Sequence, residues 1–227
     1  MTLNNNLYLY NLLLSSRLLG YDSGKSFIGP EMSLAYYLFK YSSKLFTEYP
    51  RIFDKPSIIV DTYKALNVYH YILSKSPAAS NVQYENNKIT FTYMNKYNFD
   101  IHSLSEDKHQ LLYHSSQPFE TDHNGVRINA LSVDSTTAHC FKNYGEKYDL
   151  KYLLDASLMI SLYSNIISNN LIFSHLLQLG SNIKKIMKKA MHSIKLLDFD
   201  VLSGFDLSPD IYKKHIHYTI GFCLNAG

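Results

Sequence analysis

The run VQYENNKITFTYM, Val82 to Met94, decides the class of fold. Ile89, Phe91 and Tyr93 alternate with Thr90 and Thr92, the period of two that marks a half-buried strand. Val82 to Glu85 forms a second extended run before it. Asn86-Asn87 lies between the two, and asparagine tolerates the left-handed conformation of a tight hairpin turn. The middle of the chain is therefore β structure. Further strands are expected at Gln110 to His114 and Val126 to Val133, with turn chemistry in SQPFETDHNG between them.

Outward from this hairpin the apolar period changes to that of a helix. Upstream, residues 6 to 19 read as a short helix ended by Gly20. Glu31 to Tyr49 carries Leu34, Leu38, Tyr41 and Leu45 on one side and stops before Pro50. Ser57 to Ser74 reads as a third helix bearing Ile59, Tyr63, Leu66, Tyr69 and Leu73. Downstream, Ser135 to Tyr144 reads as a short helix capped by Ser135. Leu150 to Ile167 is helical, Asn169-Asn170 is a break, and Leu171 to Leu179 continues to Gly180. Ile216 to Cys223 reads as a final strand, because Ile216, Tyr218, Ile220 and Phe222 alternate with His217, Thr219, Gly221 and Cys223. The expectation is an α+β fold: N-terminal helices, a small central antiparallel sheet, and a C-terminal helical layer with a final strand. The 227 residues read as a single α+β domain spanning 1–227. The alternative division is a helical segment over residues 1–80, a β-rich segment over 81–145, and a helical segment with the last strand over 146–227.

Composition agrees with a packed core. Hydrophobic residues make up 46% and charged residues 18%, which argues against wholesale disorder. The 20 tyrosines and 12 phenylalanines, without tryptophan, give an aromatic interior in which each buried Tyr hydroxyl needs a partner. A net charge of +3 does not by itself argue for nucleic acid. Arg127 is the last arginine and Glu146 the last glutamate, so the C-terminal third lacks the planar guanidinium fork that grips phosphate bidentately. Cys140 and Cys223 are too few for a disulfide scaffold, so a reducing, cytoplasmic setting is expected. No lysine or arginine precedes the apolar patch Leu7 to Leu14, so a secretory signal is not expected, and no run reaches transmembrane length. Heavy use of Asn, Lys, Ile and Tyr matches an AT-rich coding sequence, bacterial or viral.

One segment stands apart: SNIKKIMKKAMHSIKLL, Ser181 to Leu197. Ile183, Ile186, Met187, Ala190, Ile194 and Leu197 recur at three- and four-residue spacing and so share one helical face. Lys184, Lys185, Lys188, Lys189 and Lys195 occupy the rest of the circumference. Gly180 precedes the run, and Ser181 or Asn182 supplies the cap. Such a helix turns its apolar stripe to the protein and a cationic surface to water. A protein partner is expected there, with an anionic surface as the second candidate. Nucleic acid is disfavoured because neither arginine nor an interleaved aromatic accompanies the lysines.

Catalytic signals are sparser. Gly20 to Ser26 resembles a phosphate-binding P-loop, one residue short between its glycines. In His139-Cys140 the two side chains diverge, which leaves His139 badly placed to activate the thiol. His102, His109, His114 and His123 match no compact metal-ligand spacing, so no metal and no cofactor is assigned. His114-Ser115-Ser116 follows an expected strand and His217-Tyr218-Thr219 lies inside one, which sets each histidine beside a hydroxyl. This pattern resembles the paired His-x-Ser/Thr motifs of the 2H phosphoesterases. The resemblance implies phosphodiester hydrolysis with His114 and His217 as the acid/base pair and Ser116 and Thr219 holding phosphate. The leading expectation is instead a non-enzymatic interaction or regulatory protein, of viral or bacterial-effector type. It would bind through Lys184, Lys185, Lys188 and Lys189, with the small hydrolase as the alternative.

Overall fold

The computed structural model describes residues 26–41, 57–95, 97–105, 107–108, 117–120, 127–196 and 209–224. The fold is α+β, and the chain divides into two compact units, residues 1–36 with 52–132 and residues 37–51 with 133–227. Helix α1 (Pro30–Tyr41) begins in the first unit and ends in the second.

The first unit is built on a sheet of seven strands among the described residues. They are β1 (Phe27–Ile28), β2 (Ser57–Val60), β3 (Ala79–Glu85), β4 (Lys88–Tyr93), β5 (Tyr97–Ser103), β6 (Gln117–Glu120) and β7 (Arg127–Ala130), arranged β3-β4-β5-β2-β1-β7-β6. The hairpin β3–β4 forms where the asparagines require it: Asn86 and Asn87 both have positive φ, 49° and 61°, as a mirror-image turn demands. Ile89 lies opposite Ile101, and Phe91 opposite Phe99, with ring centroids 5.5 Å apart. Helix α2 (Tyr63–Lys75) packs on this end of the sheet and buries Leu66, Tyr69 and Leu73.

Three expectations are corrected in this unit, the first being that Gln117–Glu120, inside the expected turn segment SQPFETDHNG, is strand β6 paired antiparallel with β7. The sheet is mixed rather than small and antiparallel, because β1 runs parallel to β7 and β2 parallel to β5. Ser57 to Val60 is strand β2, not the start of a helix. Ile58, Ile59 and Val60 are β-branched and fully buried between β1 and β5, so they show no alternation and read as easily as buried helix. The helix starts only at Tyr63, where Thr62 Oγ1 accepts the Ala65 N–H at 3.1 Å. The expected strand at Gln110 to His114 and the expected helix at 6–19 lie outside the described residues, as do residues 42–50 of the expected Glu31 to Tyr49 helix.

The second unit adds α3 (Val133–Lys147), α4 (Leu150–Leu162), α5 (Asn169–Gln178), α6 (Ile183–Lys195) and α7 (Pro209–Leu224). Helix α4 packs against α3 and α7, and α3 against α5 and α6. Phe222 of α7 stacks on Phe141 of α3 at 5.3 Å and meets Phe173 of α5 at 5.1 Å. The expected final strand is thus a helix. Ile216, Thr219, Phe222 and Cys223 are buried while Tyr218 and Gly221 are exposed, so burial follows three- and four-residue spacing. An alternating sequence fitted both periods, and packing against α4 selected the helix. Helix α3 starts two residues before the expected Ser135 cap and buries Ser135 inside its first turn. Asn169-Asn170 opens α5 behind the cap Ser168 rather than breaking a helix, and the interruption falls at 163–167.

Candidate functional site

The lysine-rich segment folds as the helix α6 for local reasons. Gly180 takes φ +72°, and the N–H groups of Gly180 and Ser181 return to the carbonyls of Leu177 and Leu176, both at 2.9 Å, which closes α5. Asn182 then caps α6, its Oδ1 accepting the Lys185 N–H at 3.0 Å. Ile186, Met187, Ala190 and Ile194 are buried. Their neighbours are specific: Cys223 Sγ of α7 lies 3.7 Å from Met187 Sδ, and Gly145 of α3 leaves room for Ile186, since a Cβ there would fall 2.7 Å from Ile186 Cγ1. Tyr144 of α3 ties the helix down with its hydroxyl, 2.6 Å from Ser193 Oγ and donating to the Lys189 carbonyl at 3.2 Å. This answers the requirement that a buried tyrosine find a partner.

The lysines divide into two kinds. Lys189 is half-buried; its ammonium lies over the Tyr148 ring, 3.5 Å from the centroid, and donates to that hydroxyl. Lys184, Lys185 and Lys188 are exposed and have no ion pair among the described residues. Elsewhere lysines do meet carboxylates: Lys88 with Asp100 at 2.7 Å, Lys142 with Glu146 at 3.2 Å, Lys151 with Asp149 at 3.1 Å. The local sequence supplies no such partner within the helix either, for no Asp or Glu occurs between Asp155 and Asp198. Lys184 and Lys185 also occupy the first turn, at the positive end of the helix macrodipole, where the helix has no acidic residue. That placement disfavours the helix. The acid-free stretch and the wrong-ended lysines were both present in the sequence and are sharper signals than the amphipathic pattern alone.

The phosphodiester constellation fares differently. His114 and Ser116 lie outside the described residues. His217 and Thr219 are positions on helix α7 rather than on a strand, so the alternation that would set two such positions on one face is absent. Thr219 is fully buried and its hydroxyl donates to Ser157 Oγ of α4 at 2.8 Å. On α3, His139 Nδ1 lies 2.9 Å from the Ser135 carbonyl and Cys140 is a buried cysteine outside any disulfide. Burial pushes the Cys223 thiol up to about 12, which makes it inert as a nucleophile.

Two polar groupings were not anticipated. On the sheet, Lys88 lies opposite His102 and Thr90 opposite Asp100. Desolvation holds His102 below the usual histidine range; Asp100 opposes that shift and Lys88 reinforces it. Between α3 and α5, Asp134 accepts the Ser168 N–H at 2.7 Å and lies within electrostatic reach of His175. Both side chains are buried. Burial raises the Asp134 carboxyl and lowers the His175 imidazole, and each opposes the other's shift through its charge. Among the described residues no three metal-binding side chains gather, and no helix is long and apolar enough to cross a membrane. The chain matches no protein-family model and no curated protein sequence.

Proposed function

We propose that the protein is a non-enzymatic interaction protein of regulatory type whose binding surface is the outward face of α6. One observation carries the reading. Lys184 and Lys185 are exposed, have no carboxylate partner among the described residues, and lie at the helix end where positive charge is unfavourable. Side chains that oppose local stability without serving the core point to selection for something outside the fold. The same helix is held firmly by its apolar stripe and by Tyr144, so the charged face is presented on a fixed support. Lys189 belongs to that support through Tyr148, and Lys184, Lys185 and Lys188 form the contact set.

Site-specific photo-cross-linking tests this. A photoreactive residue replaces Lys188 in one sample and the exposed Lys64 of α2 in another, each in cells that make the protein. A discrete adduct is expected from position 188, lost when Lys184 and Lys185 are changed to Gln. Equal adduct patterns from both positions would remove the basis of the proposal.

A further inference from the structure

We infer that the α6 lysine face takes an acidic peptide segment of a protein partner, with carboxylates about 6 Å apart and an apolar side chain beside them. This rests on the lysine face being the binding surface and goes on to specify its occupant. Lys184, Lys188 and His192 follow one another at four-residue intervals, which places them about 6 Å apart along the axis on one side of the helix. Alternate side chains of an extended peptide are separated by about 6.6 Å, and every fourth side chain of a helix by about 6 Å, so either form of an acidic segment stays in step with the lysines. Lys184, Lys185, Lys188 and Lys195 are all exposed and have no ion pair among the described residues, and the chain carries no carboxylate from Ala156 to Leu197. The C-cap Leu196 follows directly and is 68% exposed, an apolar contact at the end of the charged row.

The competing anionic surfaces fit less well. A helix that lies on a membrane buries its apolar face in lipid, but Ile186, Met187, Ala190 and Ile194 are already buried in the protein. Phosphate recognition favours the arginine fork, and α6 has no arginine. Base stacking needs a free aromatic, and Tyr148, at the edge of this face, is engaged by Lys189. Carboxylates need only positive points at the right spacing, which these lysines supply.

The test uses the full chain and fluorescence anisotropy with four probes: a labelled alternating glutamate–leucine peptide, a serine–glycine peptide, oligothymidylate, and phosphatidylserine-rich vesicles. The glutamate–leucine peptide is expected to bind. The triple variant Lys184→Gln, Lys185→Gln, Lys188→Gln should bind it about tenfold more weakly, the loss of three exposed ion pairs. Raising salt from about 0.1 M to about 1 M shortens the screening length from about 10 Å to about 3 Å and should weaken binding by a similar factor. The charge-keeping triple Arg variant should bind as the wild type does, and so should Lys64→Gln with Lys75→Gln on α2. Binding of vesicles or oligothymidylate without the acidic peptide would overturn the acidic occupant and leave the lysine face standing as the surface. Equal peptide binding by the wild type and the triple Gln variant would overturn both. No binding of any probe would overturn the acidic occupant, while the cross-linking result judges the lysine face separately.

Discussion

Replacing Lys184 and Lys185 together with glutamine should make the protein more stable, not less. Both side chains sit in the first turn of α6, where a cation opposes the macrodipole at roughly 0.3–1 kcal/mol each. Each also has a lysine four residues on, Lys188 and Lys189, and like charges at that spacing cost about 0.2–0.5 kcal/mol per pair. Glutamine and lysine have nearly equal helix propensity, so the exchange adds no offsetting penalty. The Asn182 cap bonds to the backbone N–H of Lys185 and survives the change. The gain sums to about 1–3 kcal/mol at low ionic strength, and to about half that in physiological salt, where exposed charges are screened. Urea unfolding followed by far-ultraviolet circular dichroism at two salt concentrations reads it directly. The double variant should unfold at higher urea, with a difference that shrinks as salt rises. Lys185→Glu should gain more, since a glutamate three residues after the cap can reach back to the cap N–H. A loss of about 0.5 kcal/mol or more in the double variant would show that these ammonium groups support the fold, and the reasoning would fail.

Other changes test the support beneath this face. Gly180→Ala meets nothing within 4 Å, so its effect is the cost of a left-handed alanine, about 1 kcal/mol by urea unfolding. Gly145→Ala gains about 1 kcal/mol of helix propensity but drives a methyl into Ile186, a cost of about 1–3 kcal/mol; a net loss is expected, partly recovered when Ile186→Val removes the Cδ1 that would lie 2.9 Å from it. Tyr144→Phe removes the bonds to Ser193 Oγ and to the Lys189 carbonyl and should cost about 1 kcal/mol, with faster amide exchange confined to α6. His175 is depressed by burial, so the unfolded chain takes up its proton first. Its contribution is intact above the unfolded value near 6.5 and is lost as pH falls below it, and His175→Leu should flatten that acid limb of a stability–pH curve. Asp134, raised by burial, acts in the opposite sense: its carboxyl protonates more readily in the folded protein, which offsets some of the loss at lower pH.

The legible stretches of the chain were those in which one periodicity had no rival. The hairpin announced itself through Ile89, Phe91 and Tyr93 and through two asparagines suited to positive φ. Helix α6 announced itself through residues that are apolar on one face and cationic on the other. Strands β1 and β2 were not legible, because Phe27-Ile28 and Ile58-Ile59-Val60 are buried and carry no polar alternation to set a period. The C-terminal helix misled for the converse reason: Ile216 to Cys223 alternates well enough for a strand, and only the partners on α4 and α6 decide between the two periods. At the candidate site the sequence could pick out the lysines but could not separate Lys189 from its neighbours. That difference depends on Tyr148, far along the chain, whose ring holds the Lys189 ammonium. The Asp134–His175 grouping was equally invisible, because it joins two helices through side chains that local spacing does not link.

Competitive amine acylation read by mass spectrometry, on the purified protein and again in an extract of the cells that make it, tests the central claim most directly. In the purified protein Lys184, Lys185 and Lys188 should react as fast as Lys64, and Lys189 more slowly because Tyr148 covers it. In the extract the first three should become protected while Lys64 stays unchanged. If Lys184, Lys185 and Lys188 react at the same rate in both samples, the outward face of α6 is hydrated surface and nothing more.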